Sequence, residues 1–233
     1  MLIFHIIVEI KLVSFDKIRL NFIYLNINFV LFYGIGLTGG PLNHRFKLIQ
    51  FHAHWGKHCS CGSEHIIDGK HYAGELHFVH WNSDLYDSPR QAAIAKDGLA
   101  VLGVFLEAVE DDEPIEHLES MQKLCDLMDK VKYKGEHIFL DEPYNVLELL
   151  PKKRSYFTYL GSLTTPPLWE TVTWILFEQP IKCTKKQLDS FRKLSYYPKE
   201  ELKDIEHLYP TNIEENFRPI QPLNERRIIY VLE

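Results

Sequence analysis

The sequence contains little cysteine, no excess of positive charge and no long uninterrupted apolar run. Four cysteines in 233 residues are too few for a disulfide-stabilised scaffold, which favours a reducing compartment. The 26 Lys and Arg against 32 Asp and Glu give a net charge of -6, which excludes a chain-wide basic surface for nucleic acid or anionic membranes. We therefore expect a small-molecule partner, no nucleic acid, no membrane and a monomeric protein.

The first 36 residues lack Ala, Pro and Cys and are dominated by Ile, Leu, Phe, Val, Tyr and Asn. A secretory signal is disfavoured because Glu9 and Lys11 interrupt the early apolar stretch. A membrane anchor is disfavoured because three asparagines interrupt the later apolar stretch of this segment. Both alternatives stay open. We favour one or two β-strands over residues 22–33, where β-branched and aromatic residues partly alternate with polar ones.

Residues 37–233 read as a single mainly-β domain, that is, a β-rich α+β fold. We expect a central twisted, largely antiparallel sheet with a few peripheral helices. The run 99–106 is apolar at both odd and even positions, so it should lie inside the sheet with both faces covered. The predicted strands are 46–55, 73–81, 99–109, 171–177 and 227–232.

Two helices are predicted from apolar spacing and capping residues. Pro114 is expected to begin one helix, and Thr184 is expected to cap another. The apolar stripes are Ile115, Leu118, Cys125, Met128 and Val131 in the first helix, and Leu188, Phe191 and Leu194 in the second.

Histidine is the unusual residue of this chain. Six of its 12 histidines fall between positions 52 and 77. Side chains alternate between the faces of a strand, so Gln50, His52 and His54 share one face. Same-face neighbours lie about 6 to 7 Å apart, which allows both imidazoles to reach one metal ion.

The second candidate strand carries a matching pattern, with Glu75, His77 and Val79 on one face. Pairing the two strands would supply a third imidazole. Three histidines without a fourth protein ligand leave a tetrahedral zinc ion one open position, as in catalytic sites. Gln50 and Glu75 stand where they could accept hydrogen bonds from the ligand imidazoles.

Other histidines and cysteines carry less information. His65 and His80 are interpreted as structural residues, and His80 falls on the opposite face from His77. His58, Cys59 and Cys61 could form a second metal site of thiolates and imidazole, but a loop of this kind is more often solvated.

Four segments together resemble the α-class carbonic anhydrases: LIQFHAHWG, GSEHIIDGKHYAGELHFVHWN, DGLAVLGVFLE and YLGSLTTPPLWETVTW. The resemblance covers about residues 37–233. It implies zinc-dependent, reversible hydration of carbon dioxide to bicarbonate and a proton, by attack of zinc-bound hydroxide. It also implies that the fold of that family is present here without its usual N-terminal part.

The resemblance assigns roles to individual residues. It implies Zn²⁺ ligands at His52, His54 and His77, with Gln50 and Glu75 as their hydrogen-bond partners. Thr164 would orient the attacking hydroxide, with Glu64 accepting the hydroxyl proton of Thr164. Carbon dioxide would lie against an apolar wall, with Thr165 on the bicarbonate side; the implied wall residues are Val79, Val101, Leu163, Val172 and Trp174.

The chain departs from the family in residues 1–36, where no proton-shuttle histidine is identifiable. Either this segment belongs to a short variant, or it is not native coding sequence and replaces the true start; we favour the second. A cysteine that secreted relatives often carry after the TTPP turn is replaced by Leu168. A cytoplasmic location therefore fits better.

Three functions compete at this point. The leading hypothesis is a zinc lyase acting on carbon dioxide. The second is a non-catalytic or weakly active carbonic-anhydrase-like binding protein, suggested by the unmatched N-terminal segment. The third is another zinc hydrolase, which is disfavoured because the sequence contains no HExxH motif.

Overall fold

The computed structural model describes residues 18–23, 26–31, 36–115, 118–140 and 144–233. Within these residues, eleven strands form one sheet in which most neighbouring strands are antiparallel. The prediction of a mainly-β fold with few helices is confirmed. The strands are β1 (Ile18–Ile23), β2 (Asn26–Leu31), β3 (Gly36–Gly39), β4 (Leu42–Trp55), β5 (Gly74–Asn82), β6 (Leu99–Val109), β7 (His137–Phe139), β8 (Tyr156–Gly161), β9 (Val172–Phe177), β10 (Ile181–Thr184) and β11 (Ile229–Val231).

The strands follow the order β11-β8-β9-β6-β5-β4-β2-β1-β7, with β3 paired to β4 and β10 paired to β6. Only the β6–β9 and β6–β10 pairs are parallel among the described strands. The expected strand over 22–33 corresponds to the end of β1 and to β2; residues 24, 25, 32 and 33 lie outside the described residues. β6 occupies the interior of the sheet, and its residues 99–106 are all buried, as their apolar pattern predicted.

Four α-helices lie among the described residues, and two short 3₁₀ helices span Val146–Leu149 and Lys199–Glu201. None of these helices is long and apolar enough to cross a bilayer. The α-helices are α1 (Pro89–Ala93), α2 (Leu118–Asp129), α3 (Lys185–Arg192) and α4 (Leu202–Ile205).

Thr184 caps α3 as predicted. Its side chain accepts a hydrogen bond from the backbone N–H of Gln187, and the Gln187 side chain accepts one from the backbone N–H of Thr184. This reciprocal capping box satisfies backbone donors that the first helical turn leaves free. Leu188 and Phe191 then pack into the main core.

The predicted helix start at Pro114 is wrong, because Pro114 and Ile115 are not helical and α2 begins at Leu118. The chain just before Pro114 is held in a turn, in which the Glu113 N–H donates to the carbonyl of Glu110 at 3.2 Å. The Glu113 carboxylate also pairs with the Lys182 ammonium on β10 at 2.6 Å. These contacts hold the residues before the proline in a turn and not in the first turn of a helix.

The sheet separates two apolar clusters. The larger one, which we call the main core, combines one face of the sheet with buried residues of α2 and α3 such as Met121, Leu124 and Phe191. The smaller one, called the site-side cluster, is built on Val79, Leu99, Val101, Val172, Trp174 and Leu176. Alternating residues of β5 and β6 contribute to opposite clusters, as the period of two requires.

A bulge in β4 decides which of its side chains face the main core. Leu48 pairs with His80 and Gln50 pairs with Val79, so Ile49 is an extra residue in the ladder. Phe46 and Leu48 belong to the main core before the bulge, whereas Phe51, Ala53 and Trp55 belong to it afterwards. The bulge therefore turns Gln50 and the residues that alternate with it away from the main core.

Candidate metal centre

The pairing of β4 with β5 brings three imidazoles together on one face of the sheet. His52 lies directly opposite His77, and His54 lies one same-face position farther along β4. Their ring centroids are 5.0 Å apart for His52 and His54, 5.2 Å for His52 and His77, and 4.7 Å for His54 and His77. One ring nitrogen from each lies within 4.8 Å of the others, and all three residues of this group could hold one metal ion.

Outer hydrogen bonds fix which nitrogen of two of these rings faces the centre. His52 Nδ1 lies 2.9 Å from Gln50 Oε1, and His77 Nε2 lies 2.7 Å from Glu75 Oε1. Both partner oxygens are acceptors, so the two ring nitrogens donate and carry the protons. His52 Nε2 and His77 Nδ1 are thereby left with lone pairs, which is the state that a metal ligand requires.

The third ring has a partner that sequence reasoning missed. His54 Nδ1 donates to the backbone carbonyl of Asn216 at 3.0 Å, which leaves His54 Nε2 as the free nitrogen. Asn216 is fixed along β4 because its side chain donates to the Ala53 carbonyl at 3.0 Å and accepts from the Trp55 N–H at 2.7 Å. A backbone carbonyl 162 residues away leaves no pattern in the sequence by which it could be found.

Glu75 is the best-satisfied carboxylate of the centre. Its Oε2 accepts the backbone N–H groups of Glu64 and His65, both at 3.0 Å, and its Oε1 accepts from His65 Nδ1 and His77 Nε2, both at 2.7 Å. Complete burial would raise the pKa of Glu75, but the adjacent imidazoles and their hydrogen bonds hold this pKa well below its usual range. Glu75 is therefore an ionised acceptor.

Gly103 provides the space for that carboxylate. It lies opposite His77 on β6, and a Cβ atom there would come within 3.2 Å of Glu75 Oε1 and 2.5 Å of Leu176 Cδ2. A side chain at this position would push the carboxylate or the leucine out of place. This requirement was also not evident from the sequence.

The residues present fit a cation. Burial, followed by the neighbouring imidazoles, lowers the pKa of His52 well below 6.5, and burial also lowers the pKa of His54, so both are neutral and able to act as ligands. His54 Nε2 and Glu64 Oε2 are buried polar atoms without a hydrogen-bond partner, 3.4 Å apart. Orphaned buried lone pairs are costly unless a positive group satisfies them.

The hydrogen bond from Thr164 to Glu64 that the family resemblance implies is not formed in the structure. Glu64 Oε1 accepts from the backbone N–H of Arg218 at 2.7 Å, while Oε2 points toward His54 and lies 4.0 Å from His77 Nδ1. Thr164 and Glu64 nevertheless line the same cavity of about 1350 Å³. The two residues therefore share a cavity without sharing a hydrogen bond.

The five residues predicted to form an apolar wall lie together beside the imidazoles. Val79, Val101, Val172 and Trp174 belong to the site-side cluster, and Leu163 packs against it. Ladder pairs from Val79 to Val101 and from Val101 to Trp174 place three of them in one row across the sheet. Thr165, in contrast, is exposed in the turn that follows Leu163.

Among the described residues, His65 forms a second group that could hold a metal ion, with Glu75 and His77, whereas His80 and the cysteines belong to no such group. His80 Nδ1 donates to the Phe78 carbonyl at 2.8 Å, on the core side of β5. The Cys61 thiol contacts the His58 carbonyl at 3.6 Å, and Cys59 Sγ accepts from Arg192 Nη2 at 3.9 Å. The sets of side chains that could hold an ion, searched within the described residues, include neither cysteine, so the alternative site at this loop is not formed.

Comparisons with known proteins agree with this arrangement. Residues 23–232 match the family model of the eukaryotic-type carbonic anhydrases; the match begins inside the segment 1–36 that we expected to lie outside the family. Human carbonic anhydrase 7 is 46% identical over 190 residues, covering 82% of this chain and 67% of the relative.

Mitochondrial relatives are similar at slightly lower identity. Rat carbonic anhydrase 5A is 42% identical over 193 residues, covering 83% of this chain and 59% of its own length. Mouse carbonic anhydrase 5B is 41% identical over 192 residues, covering 82% of this chain and 56% of its own length. The chain thus spans between 56% and 67% of the curated relatives it matches. With the family model matched over most of its length, the chain belongs to the eukaryotic-type carbonic anhydrase family.

Proposed function

We propose that this chain catalyses the zinc-dependent, reversible hydration of carbon dioxide to bicarbonate and a proton. The observation that carries the proposal is the group formed by His52, His54 and His77, in which each residue offers one ring nitrogen within 4.8 Å of the others. Each ring commits its other nitrogen to an oxygen acceptor. Three neutral imidazoles without a carboxylate ligand are typical of a catalytic zinc site that keeps one position open.

In this proposal the three histidines hold the ion, and their outer partners keep each ring in the ligand tautomer. A bound zinc ion supplies the positive charge that makes water a nucleophile near neutral pH, a chemistry for which carbonic anhydrase is the standard example. Glu75 increases the electron density on His77 through its short hydrogen bond. Gln50 and the Asn216 carbonyl hold the other two rings in place.

Thr164 and Glu64 are proposed as the catalytic pair beside the ion. A threonine hydroxyl can accept a hydrogen bond from the attacking oxygen and orient it, provided that its own proton is donated elsewhere. Glu64 is the carboxylate proposed to take that proton. The supporting observation is that both residues line the same cavity. The role requires a movement that brings the Thr164 hydroxyl to the carboxylate.

The site-side cluster is proposed to bind carbon dioxide. The substrate is apolar and gains little from hydrogen bonds, so a wall of valine, leucine and tryptophan suits it. Trp174 brings that wall against the imidazoles, since its ring centroid lies 4.8 Å from that of His77, and Val79 is two residues from His77 on the same strand face. Thr165 is proposed to contact the bicarbonate side, where the exposed turn would allow the product to leave.

The test is stopped-flow hydration of carbon dioxide by the zinc-loaded 233-residue chain, with a rising concentration of a small imidazole buffer. We expect zinc-dependent turnover that increases with buffer, because an external base can accept the proton that each cycle releases. His52→Ala should abolish the rate, and His207→Ala, at an exposed position, should not change it. One bound zinc per chain without hydration at any buffer concentration would contradict the proposal.

A zinc-binding protein with weak or no catalysis is the second candidate. The specific observation in its favour is that Glu64 Oε2 lies 3.4 Å from His54 Nε2 and accepts no hydrogen bond from Thr164. A Thr164 hydroxyl whose proton is uncommitted would orient the attacking oxygen poorly. Under this alternative, Thr164→Ala would leave the measured rate unchanged, whereas under the leading proposal it would lower the rate.

We also propose that the chain is a cytoplasmic monomer. All four cysteines are free thiols, as is usual in reducing compartments. Relatives named as mitochondrial make a mitochondrial location the competing outcome. Imaging of the full chain with a C-terminal fluorescent tag distinguishes the two compartments, and light scattering of the purified protein checks the monomer.

A further inference from the structure

A hydrogen-bonded chain continues outward from the metal centre beyond Glu75. His65 Nδ1 lies 2.7 Å from Glu75 Oε1, and His65 Nε2 lies 2.6 Å from the Tyr159 hydroxyl. Tyr159 comes from β8, and it also lines the 1350 Å³ cavity. Three short bonds therefore connect the wall of an open cavity to the imidazole of His77.

The donor and the acceptor of each bond in this hydrogen-bonded series can be assigned by starting at Glu75. Both oxygens of Glu75 already act as acceptors, Oε2 for the backbone N–H groups of Glu64 and His65 and Oε1 for His77 Nε2, so His65 Nδ1 donates to this carboxylate. Burial raises the pKa of the Tyr159 phenol, which therefore keeps its proton and needs an acceptor. His65 Nε2 is the acceptor within reach. The chain thus runs from the Tyr159 hydroxyl to His65 Nε2, and from His65 Nδ1 to Glu75.

The ring of His65 is held by packing as well as by these bonds. Its centroid lies 4.7 Å from that of Trp174 in an edge-on arrangement, and the same indole lies 4.8 Å from His77. Because Trp174 contacts both imidazoles, a rotation of His65 would disturb the packing of a ring that also contacts the ligand. The Tyr159 hydroxyl is the group that keeps His65 from rotating at its outer nitrogen.

Arg226 orders the outer end of the chain. Its guanidinium carbon lies 5.3 Å from the centroid of the Tyr159 ring. The guanidinium is anchored by donating to the carbonyls of Leu223 at 2.9 Å and Pro222 at 2.5 Å. A cation over an aromatic face stabilises that ring in place.

From this geometry we propose that Tyr159 is a positioning residue of the metal centre, acting through His65 and Glu75 to hold His77 in its ligand orientation. The inference rests on the proposed function, since it assumes that His77 binds zinc. It predicts that the cavity side of β8 controls how long the ion stays bound.

The test is the rate of zinc loss to an excess of chelator from the full chain carrying Tyr159→Phe. Outer partners that contact a ligand directly change metal affinity 10- to 100-fold, so a residue two bonds farther out should accelerate zinc loss by roughly 3- to 10-fold. The visible spectrum of the cobalt-substituted protein should also change, because it reports ligand orientation rather than overall stability.

Tyr156→Phe is the matched control. Tyr156 lies on the same strand and is buried in the main core, on the other side of the sheet, so it should alter neither zinc loss nor the cobalt spectrum. His65→Gln is a second variant, which removes the ring that links Tyr159 to Glu75 and should accelerate zinc loss in the same direction. Each variant is compared with the parent at equal folded fraction, verified by circular dichroism.

The possible outcomes distinguish failure of the proposed function from failure of the role proposed for Tyr159. If the parent chain binds no zinc, the proposed function is overturned and this inference falls with it. If the parent binds zinc and Tyr159→Phe releases it at the parent rate, only the role of Tyr159 is overturned, whatever the rate of His65→Gln. Accelerated release by both variants, with Tyr156→Phe unchanged, supports it.

Discussion

His77 and His80 are buried histidines three residues apart on one strand, and they have opposite environments. His77 is 1% exposed and His80 is 2% exposed, so burial does not distinguish them. His77 donates to a carboxylate and directs its other nitrogen toward two further imidazoles. His80 donates to the Phe78 carbonyl and lies against Leu37, Leu48 and Leu102. The comparison teaches that the partners of a buried histidine, and not its burial, indicate a metal site.

The largest effect is expected from removing His77, the histidine of this pair that faces the metal centre. His77→Ala should weaken zinc binding by more than about 100-fold, beyond the range seen when only outer partners are removed. It should also abolish the hydration of carbon dioxide. His80→Leu should leave zinc affinity within about twofold, because its ring belongs to the other face of the sheet. Competition titration with a chelating dye measures both. Equal zinc affinities for the two variants would remove the basis of the comparison.

The next prediction concerns stability at acid pH on the core side. Burial lowers the pKa of His80 to about 4, so the folded protein binds this proton more weakly than the unfolded chain. The stabilisation is complete above pH 6.5 and is lost as the pH falls toward 4. Integrated over that shift, His80 alone should account for about 3 kcal/mol of the loss in unfolding free energy.

Urea unfolding of the zinc-free protein between pH 7 and pH 4 tests this prediction. His80→Leu should be less stable at pH 7, because the Phe78 carbonyl loses its donor, but its stability should fall less steeply toward pH 4. His207→Leu, at an exposed position, should retain the slope of the parent. Parallel slopes for the parent and His80→Leu would show that His80 does not supply the acid sensitivity.

Much of this arrangement could be predicted from alternation alone. The period of two placed Gln50, His52 and His54 on one face and matched them to Glu75 and His77 on the next strand, where the structure has them. The period cannot reveal a bulge, so the alternation pattern does not indicate that the extra residue Ile49 reverses the face of β4. Phe46 and Leu48 share even numbers with His52 yet face the main core.

Contacts between distant segments were the other part that could not be predicted. The carbonyl of Asn216 and the backbone N–H of Arg218 come from irregular chain near the C-terminus, where no periodicity constrains position. The predicted helix start at Pro114 was also wrong, and the chain just before it makes a long-range contact, the Glu113–Lys182 pair, that local spacing does not reveal. Local patterns therefore predicted the strands and the α3 cap but not the contacts that tertiary packing imposes.

A smaller effect on zinc binding is expected from changing the Glu75 carboxylate beside His77. Glu75→Gln should weaken zinc binding by about 10- to 100-fold, because a neutral amide accepts a weaker hydrogen bond from the ligand ring than an ionised carboxylate does. Glu107→Gln makes the same chemical change at the surface ion pair with Lys70, where it should leave zinc affinity unchanged. Calorimetric titration of zinc measures both variants, and an unaffected Glu75→Gln protein would contradict the role assigned to that charge.

The smallest effect tests whether the two faces of the sheet can be altered independently. Thr184→Ala removes the side-chain acceptor at the start of α3, which should cost about 1 kcal/mol of unfolding free energy. Because Leu188 and Phe191 of α3 pack only into the main core cluster, the zinc affinity should remain that of the parent. Thr184→Ser keeps the hydroxyl and should restore most of the stability. A loss of zinc affinity in Thr184→Ala that parallels its loss of stability would show that the core side holds the metal centre in place, and that His77 and His80 report on one cooperative unit.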